Sequence, residues 1–128
     1  MNLKFKKLKK KINKNGDVIK YIDSKSKYLK KISEVYLSEL KPRRIKAWKI
    51  NYTCDQFLTN LNGKFIFMYK KKINEKEKKK IINIYDAVYI PKKTYYGFKN
   101  VSKKEKCLIL NSLEVNHKKC KFGNINYK

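Results

Sequence analysis

Histidine and arginine are nearly missing from this chain of 128 residues. It has one histidine, His117, and two arginines, Arg43 and Arg44, beside 33 lysines. A single imidazole excludes a zinc or iron centre built from several histidines of one chain. The shortage of arginine argues against a dedicated nucleic-acid reader, because bidentate recognition of phosphates and base edges is arginine's chemistry. The three cysteines, Cys54, Cys107 and Cys120, are widely spaced and form no C-x-x-C. His117 and Cys120 make an H-x-x-C, but two ligands do not make a metal site. The thiols read as those of a reducing, cytoplasmic setting. No apolar run approaches the ~18 residues of a membrane span. The Lys-rich start lacks the compact apolar stretch of a secretory signal.

Charge is abundant, with a formal net charge of +25. Such a balance draws polyanions and anionic lipid non-specifically. The skew toward Lys, Asn, Ile, Tyr and Phe also follows what AT-rich codons encode, so the genome accounts for much of it. A Lys-rich solvated surface is the simplest expectation, and a polyanion-binding β domain is an alternative function. Hydrophobic residues make up 41% and aromatics 13%, enough for one core and against a disordered polycation. The length sets one domain.

Residues 1–15 form a basic leader in which Leu3, Leu8 and Ile12 make a short amphipathic stripe. The leader reads as a tail or a first strand. Residues 16–128 form the domain. Strand-like segments, rich in β-branched and aromatic residues, run over 17–22, 32–40, 44–51, 56–61, 64–71, 79–85, 87–91, 95–99 and 107–115. Asn62-Gly63 suits the two positive-φ positions of a type I′ hairpin between the fourth and fifth segments. INEKEKKK (73–80) reads as the tip of a second hairpin. Many short strands without a long amphipathic helix predict an all-β sandwich or barrel.

A spaced skeleton runs from Arg43 to Asn100. It comprises Lys49-x-Asn51, then Gln56 and Gly63, and later Pro91, Tyr96 and Asn100. The pattern resembles the two-part cupin signature, and Gly63, Pro91 and Asn100 occupy matching positions. Within the cupins, EVYLSELKPRRIKAWK (34–49), IPKKTYYGFKNVS (90–102) and LILNSLEVNH (108–117) resemble the dTDP-4-dehydrorhamnose 3,5-epimerase and sugar-nucleotide isomerase branch. The resemblance implies a single-domain jelly-roll (double-stranded β-helix) barrel that binds a nucleotide sugar, commonly as a homodimer.

The departures from the signature define the chemistry at issue. Cupin metal-ligand positions hold Lys49, Asn51, Gln56 and Tyr96. Protonated Lys is no ligand, and the other three are weak ones. No metal or other cofactor is expected. The resemblance places the family's His base at Lys49, or at Asn51 in the ketoisomerases. Asn cannot be a base near neutral pH, whereas Lys can if burial lowers its pKa. The family's acid Tyr, expected near Leu110–Asn111, is absent. The candidate catalytic residues are therefore Lys49 and Tyr96. Arg44 is a candidate for phosphate pairing, and Asn51, Gln56 and Tyr36 are candidates for lining the sugar pocket.

Each candidate also has a plain structural reading. Strand alternation puts Lys49 and Asn51 on one face and Trp48 and Ile50 on the other, and the pair faces either the cavity or water. Tyr96 doubles as a core aromatic, Gln56 as a strand hydrogen-bonder and Arg44 as a solvated charge. Asn100 is expected to close a turn and His117 to sit in a C-terminal loop. If Lys49 lies inward, Ala47 and Asn51 are its expected neighbours, and Asp55 is the nearest acid in sequence. A sugar-nucleotide epimerase or isomerase and a non-catalytic cupin that binds a nucleotide sugar remain as alternatives at this point.

Overall fold

The computed structural model describes residues 2–23, 28–29 and 31–114 and the strand at 122–124. His117 and Cys120 lie outside the described residues. The strands are β1 (Lys4–Lys7), β2 (Lys9–Lys11), β3 (Val18–Lys20), β4 (Glu34–Leu40), β5 (Ile45–Asn51), β6 (Gln56–Asn62), β7 (Phe65–Lys70), β8 (Lys78–Ile82), β9 (Asp86–Ile90), β10 (Tyr95–Lys99), β11 (Cys107–Leu113) and β12 (Phe122–Asn124). No helix among the described residues is long and apolar enough to cross a membrane.

Two five-stranded antiparallel sheets face each other, in the orders β1-β9-β6-β11-β4 and β12-β5-β10-β7-β8. This is the expected all-β jelly roll. Alternation explains how the core forms. Leu58 of β6, Val88 and Ile90 of β9, and Cys107 and Ile109 of β11 point inward from the first sheet. They meet Phe65, Phe67, Tyr96 and Phe98 from the second. Phe65 and Phe98 pack edge to face with centroids 5.3 Å apart, a geometry that adds to simple area burial.

The intervening residues of the first sheet, Phe57, Ala87 and Tyr89, point outward but are also buried. They are covered from the N-terminal side by Leu8, Ile19, Tyr21, Tyr28 and Leu29. The Tyr21 hydroxyl donates to the Phe57 carbonyl and lies 3.3 Å from the Leu110 carbonyl. Burial pushes the Tyr21 phenol well above its usual range. The stripe in the leader therefore divides, with Leu3 and Leu8 packed against the protein and Ile12 83% exposed. Strand β1 pairs with β9 at the sheet edge.

The Asn62-Gly63 hairpin is a misreading. Strands β6 and β7 belong to different sheets and do not pair. Gly63 has φ +69, but Asn62 is not among the positive-φ residues. The pair turns a corner between sheets, which needs one left-handed residue instead of two. The Asn60 amide pins that corner, with Nδ2 donating to the Gly63 carbonyl at 2.7 Å and Oδ1 accepting from Asn62 N at 3.2 Å. The second hairpin is present, with β7 and β8 paired antiparallel. Asn100 closes its turn as expected. Its Oδ1 accepts from Ser102 N at 3.0 Å, and its Nδ2 donates to the Glu105 and Leu40 carbonyls at 2.8 and 3.1 Å.

Candidate active site

Strand β10 supplies the reference for orientation. Tyr96 and Phe98 both face the core, and they are 2% and 3% exposed. Across the ladder, Lys49 pairs with Tyr96 and Lys46 pairs with Phe98. Between them, Ala47 and Trp48 oppose the single residue Gly97, so the register shifts there. A bulge of this kind re-aims the side chains on its strand. Lys46 and Lys49, three apart in sequence, consequently share the inner face. Ala47, the neighbour expected from plain alternation, does not lie beside Lys49.

Burial and the Lys46 charge, in that order, hold the Lys49 ammonium below the ordinary lysine pKa. Lys46 itself is exposed, and its Nζ reaches across to Ser38 Oγ on β4 at 3.2 Å. Asp55 does not pair with Lys49. Its carboxylate accepts from the Tyr89 hydroxyl at 2.6 Å and from Lys92 N at 2.8 Å, which holds it toward the outer face of the first sheet. Trp48, on the opposite side of β5 from Lys49, is covered by Lys70, whose Nζ lies 4.4 Å from the ring centroid.

Gln56 begins β6 and has no exposed surface. Its ladder partners are Ile90 and Leu113, both buried. The Tyr96 hydroxyl donates to Gln56 Oε1 at 3.3 Å, while Gln56 Nε2 has no partner among the described residues. A buried amide with an unused donor is uncommon and calls for a reason. In the same sheet as Gln56, Tyr36 of β4 is half-buried and packs with Cys54 and Leu113. Its register partner Asn111 is 3% exposed. The late-strand position where the resemblance places an acid Tyr thus holds an inward amide.

The structure brings Lys49, Tyr96, Gln56 and Tyr36 toward one end of the barrel. Asn51 lies at the same end, but its amide is committed to the loop that follows. Oδ1 accepts from Thr53 N at 3.1 Å and Cys54 N at 3.3 Å, and Nδ2 lies 3.0 Å from Cys54 Sγ. Arg44 stands apart. It is exposed in the β4–β5 turn, five residues before Lys49, or roughly 15 Å at an extended rise. Sequence reasoning passed over Lys46 and Asn111. The signal for Lys46 was Gly97, since a glycine inside a strand marks a bulge or a close backbone approach.

Among the described residues, no group of three or more His, Cys, Asp or Glu side chains could hold a metal ion. The inner groups are instead an amine, phenols and amides. This set can move protons and hydrogen-bond a carbonyl or hydroxyl.

No family model and no curated protein matches this sequence. Solved structures do. A dTDP-sugar isomerase from Desulfovibrio desulfuricans G20 superposes with a TM-score of 0.83 at 20% identity, over 97% of this chain and 83% of that one. The epimerase RmlC from Legionella pneumophila Philadelphia 1, in complex with dTDP-4-keto-L-rhamnose, gives 0.78 at 13% identity, over 98% and 73%. A mutant of the 3,4-ketoisomerase QdtA from Thermoanaerobacterium thermosaccharolyticum, in complex with TDP-4-keto-6-deoxyglucose, gives 0.77 at 18% identity, over 95% and 86%. The chain therefore has the jelly-roll fold of these dTDP-sugar epimerase and isomerase structures.

Proposed function

We propose that this protein binds a nucleotide-linked keto sugar in its barrel and moves a proton at a carbon beside the carbonyl. It is then a metal-independent epimerase or isomerase of cytoplasmic nucleotide-sugar or surface-polysaccharide biosynthesis. The observation that carries this reading is the inward position of Lys49, beside Tyr96 in the ladder and held below the usual lysine pKa. Lowering a lysine's pKa raises the share of the neutral amine, whose lone pair an acid–base step requires. Tyr96 supplies the proton donor. The unused Gln56 Nε2 is a donor for a sugar oxygen. Two of the structural neighbours hold 4-keto sugars on a thymidine diphosphate, which supports the substrate class.

The test is incubation with dTDP-4-keto-6-deoxyglucose in deuterated water, with C3 and C5 followed by NMR. Deuterium at either carbon is the expected result. Its absence, with the nucleotide sugar bound, would leave the second reading, a cupin that binds the sugar without turning it over. The commitment of the Asn51 amide to its own loop favours that second reading, because it removes one candidate sugar contact.

A further inference from the structure

An amine that accepts a proton also attacks carbonyl carbons, and the surroundings of Lys49 bear on which it does. An imidazole at that position has only the first option as a stable outcome. A primary amine condenses with ketones to give imines. Three structural features favour condensation. The bulge opposite Gly97 sets Lys46 on the same face as Lys49, and a second cation nearby is a recognised way to keep a nucleophilic lysine neutral. Asp55, the acid nearest in sequence, is held by Tyr89 and Lys92. Tyr96 stands across the ladder with a phenol that can give a proton and take one back.

We infer that Lys49 is a covalent nucleophile that condenses with the keto carbonyl of the nucleotide sugar, an inference that rests on the keto-sugar reading. The Nζ lone pair adds to the carbonyl carbon, and the C=O π pair moves to oxygen. A proton passes from nitrogen to that oxygen, giving a carbinolamine. The hydroxyl leaves as water with a proton from Tyr96, and the nitrogen lone pair closes the C=N bond of an iminium ion. The cationic nitrogen acidifies the adjacent C–H, whose proton goes to the Tyr96 phenolate and leaves an enamine. Reprotonation at that carbon and addition of water return the ketone and free Lys49. Atoms and electrons balance without an external oxidant or reductant. The α-proton passes to Tyr96 in this route, and Lys49 provides the electron sink.

The test is trapping of the wild-type protein with dTDP-4-keto-6-deoxyglucose and cyanoborohydride, which reduces an iminium to a stable secondary amine. Peptide mapping by mass spectrometry then locates the adduct. The expected result is labelling of Lys49 at least about tenfold above exposed lysines such as Lys71 and Lys103, suppressed by excess dTDP. In Lys49→Gln the specific label disappears while background labelling persists. Equal labelling of Lys49 and the exposed lysines overturns the inference. Deuterium uptake at the sugar carbons with no Lys49 adduct also overturns it, and leaves the keto-sugar reading standing with Lys49 as a base. If neither uptake nor adduct occurs and dTDP does not bind, the keto-sugar reading falls and takes the inference with it.

Discussion

A Cβ placed on Gly97 would stand 2.4 Å from the Ala47 Cβ and 3.0 Å from the Lys46 carbonyl oxygen. Two strands approach at that point closely enough to exclude any side chain. Gly97→Ala should therefore destabilise the fold by about 2 kcal/mol, as overpacking does. The bulge should shift, and Lys46 and Lys49 should lose their shared face. Urea unfolding measures the first effect, and deuterium incorporation into the sugar measures the second. A neutral outcome in both would show that the close approach is not maintained.

Lys49→Met should reduce exchange at the sugar carbons by roughly 100-fold or more, with a much smaller loss of nucleotide-sugar binding. In the wild type, kcat/KM should rise with pH and level off once Lys49 is neutral. If Lys49 only pairs with phosphate, the same substitution should weaken binding in a strongly salt-dependent way. Calorimetry and NMR on the two proteins distinguish these results.

The same lysine affects stability with a definite sign. Its pKa is lower folded than the 10.5 of an unfolded lysine. Between those two values the unfolded chain holds a proton that the folded chain lacks, so stability rises with pH across that window. Below the window the buried charge is a constant cost, and above it the cost disappears. Lys49→Gln should therefore exceed the wild type in urea midpoint at neutral pH, with the gap closing toward about pH 10. Tyr21 has the opposite sign, its phenol being raised, and its contribution is lost above pH 10. That contribution is common to both proteins and cancels in the comparison.

Tyr21→Phe removes the hydroxyl that bridges the Phe57 and Leu110 carbonyls of adjacent strands. A loss of about 1 kcal/mol is expected, with earlier proteolysis of the N-terminal segment than of the barrel. Limited digestion read by mass spectrometry checks the order.

Strand β4 is an edge of its sheet and exposes Val35 at 54% and Leu37 at 59%. An apolar edge exposed in this way among the described residues invites pairing, and we propose a homodimer formed through it. Sedimentation should show a dimer at moderate salt and a monomer for Val35→Lys combined with Leu37→Lys. A wild-type monomer at high concentration would remove the idea.

Much of the barrel could be read from the chain because period-2 alternation and β-branched runs mark strands locally. What failed was non-local. Asn62-Gly63 has the right chemistry for a hairpin, but whether a turn joins paired strands or opposite sheets is set by partners distant in sequence, β11 for β6 and β10 for β7. The shared face of Lys46 and Lys49 was hidden for a similar reason, because a bulge is a property of two strands and only Gly97 on the partner marks it. The inward placement of Lys49, Gln56 and Tyr96 was legible because the resemblance fixes which strand positions face inward. The spacing that carries it does not include Arg44, which stands apart in a turn.

The outward face of the first sheet is covered by residues that precede the barrel strands in sequence. β1 closes onto β9 and the Tyr21 hydroxyl onto carbonyls of β6 and β11. On the ribosome, residues 3–23 emerge long before these partners do. Leu8, Ile19 and Tyr21 must then wait in water while some ninety further residues are made. The dense lysines around them, at positions 4, 6, 7, 9, 10, 11, 14 and 20, repel one another and so oppose association of that segment. The same charges serve the folded protein too, where Lys6 lies over the Tyr28 ring and Lys10 over the Tyr85 ring.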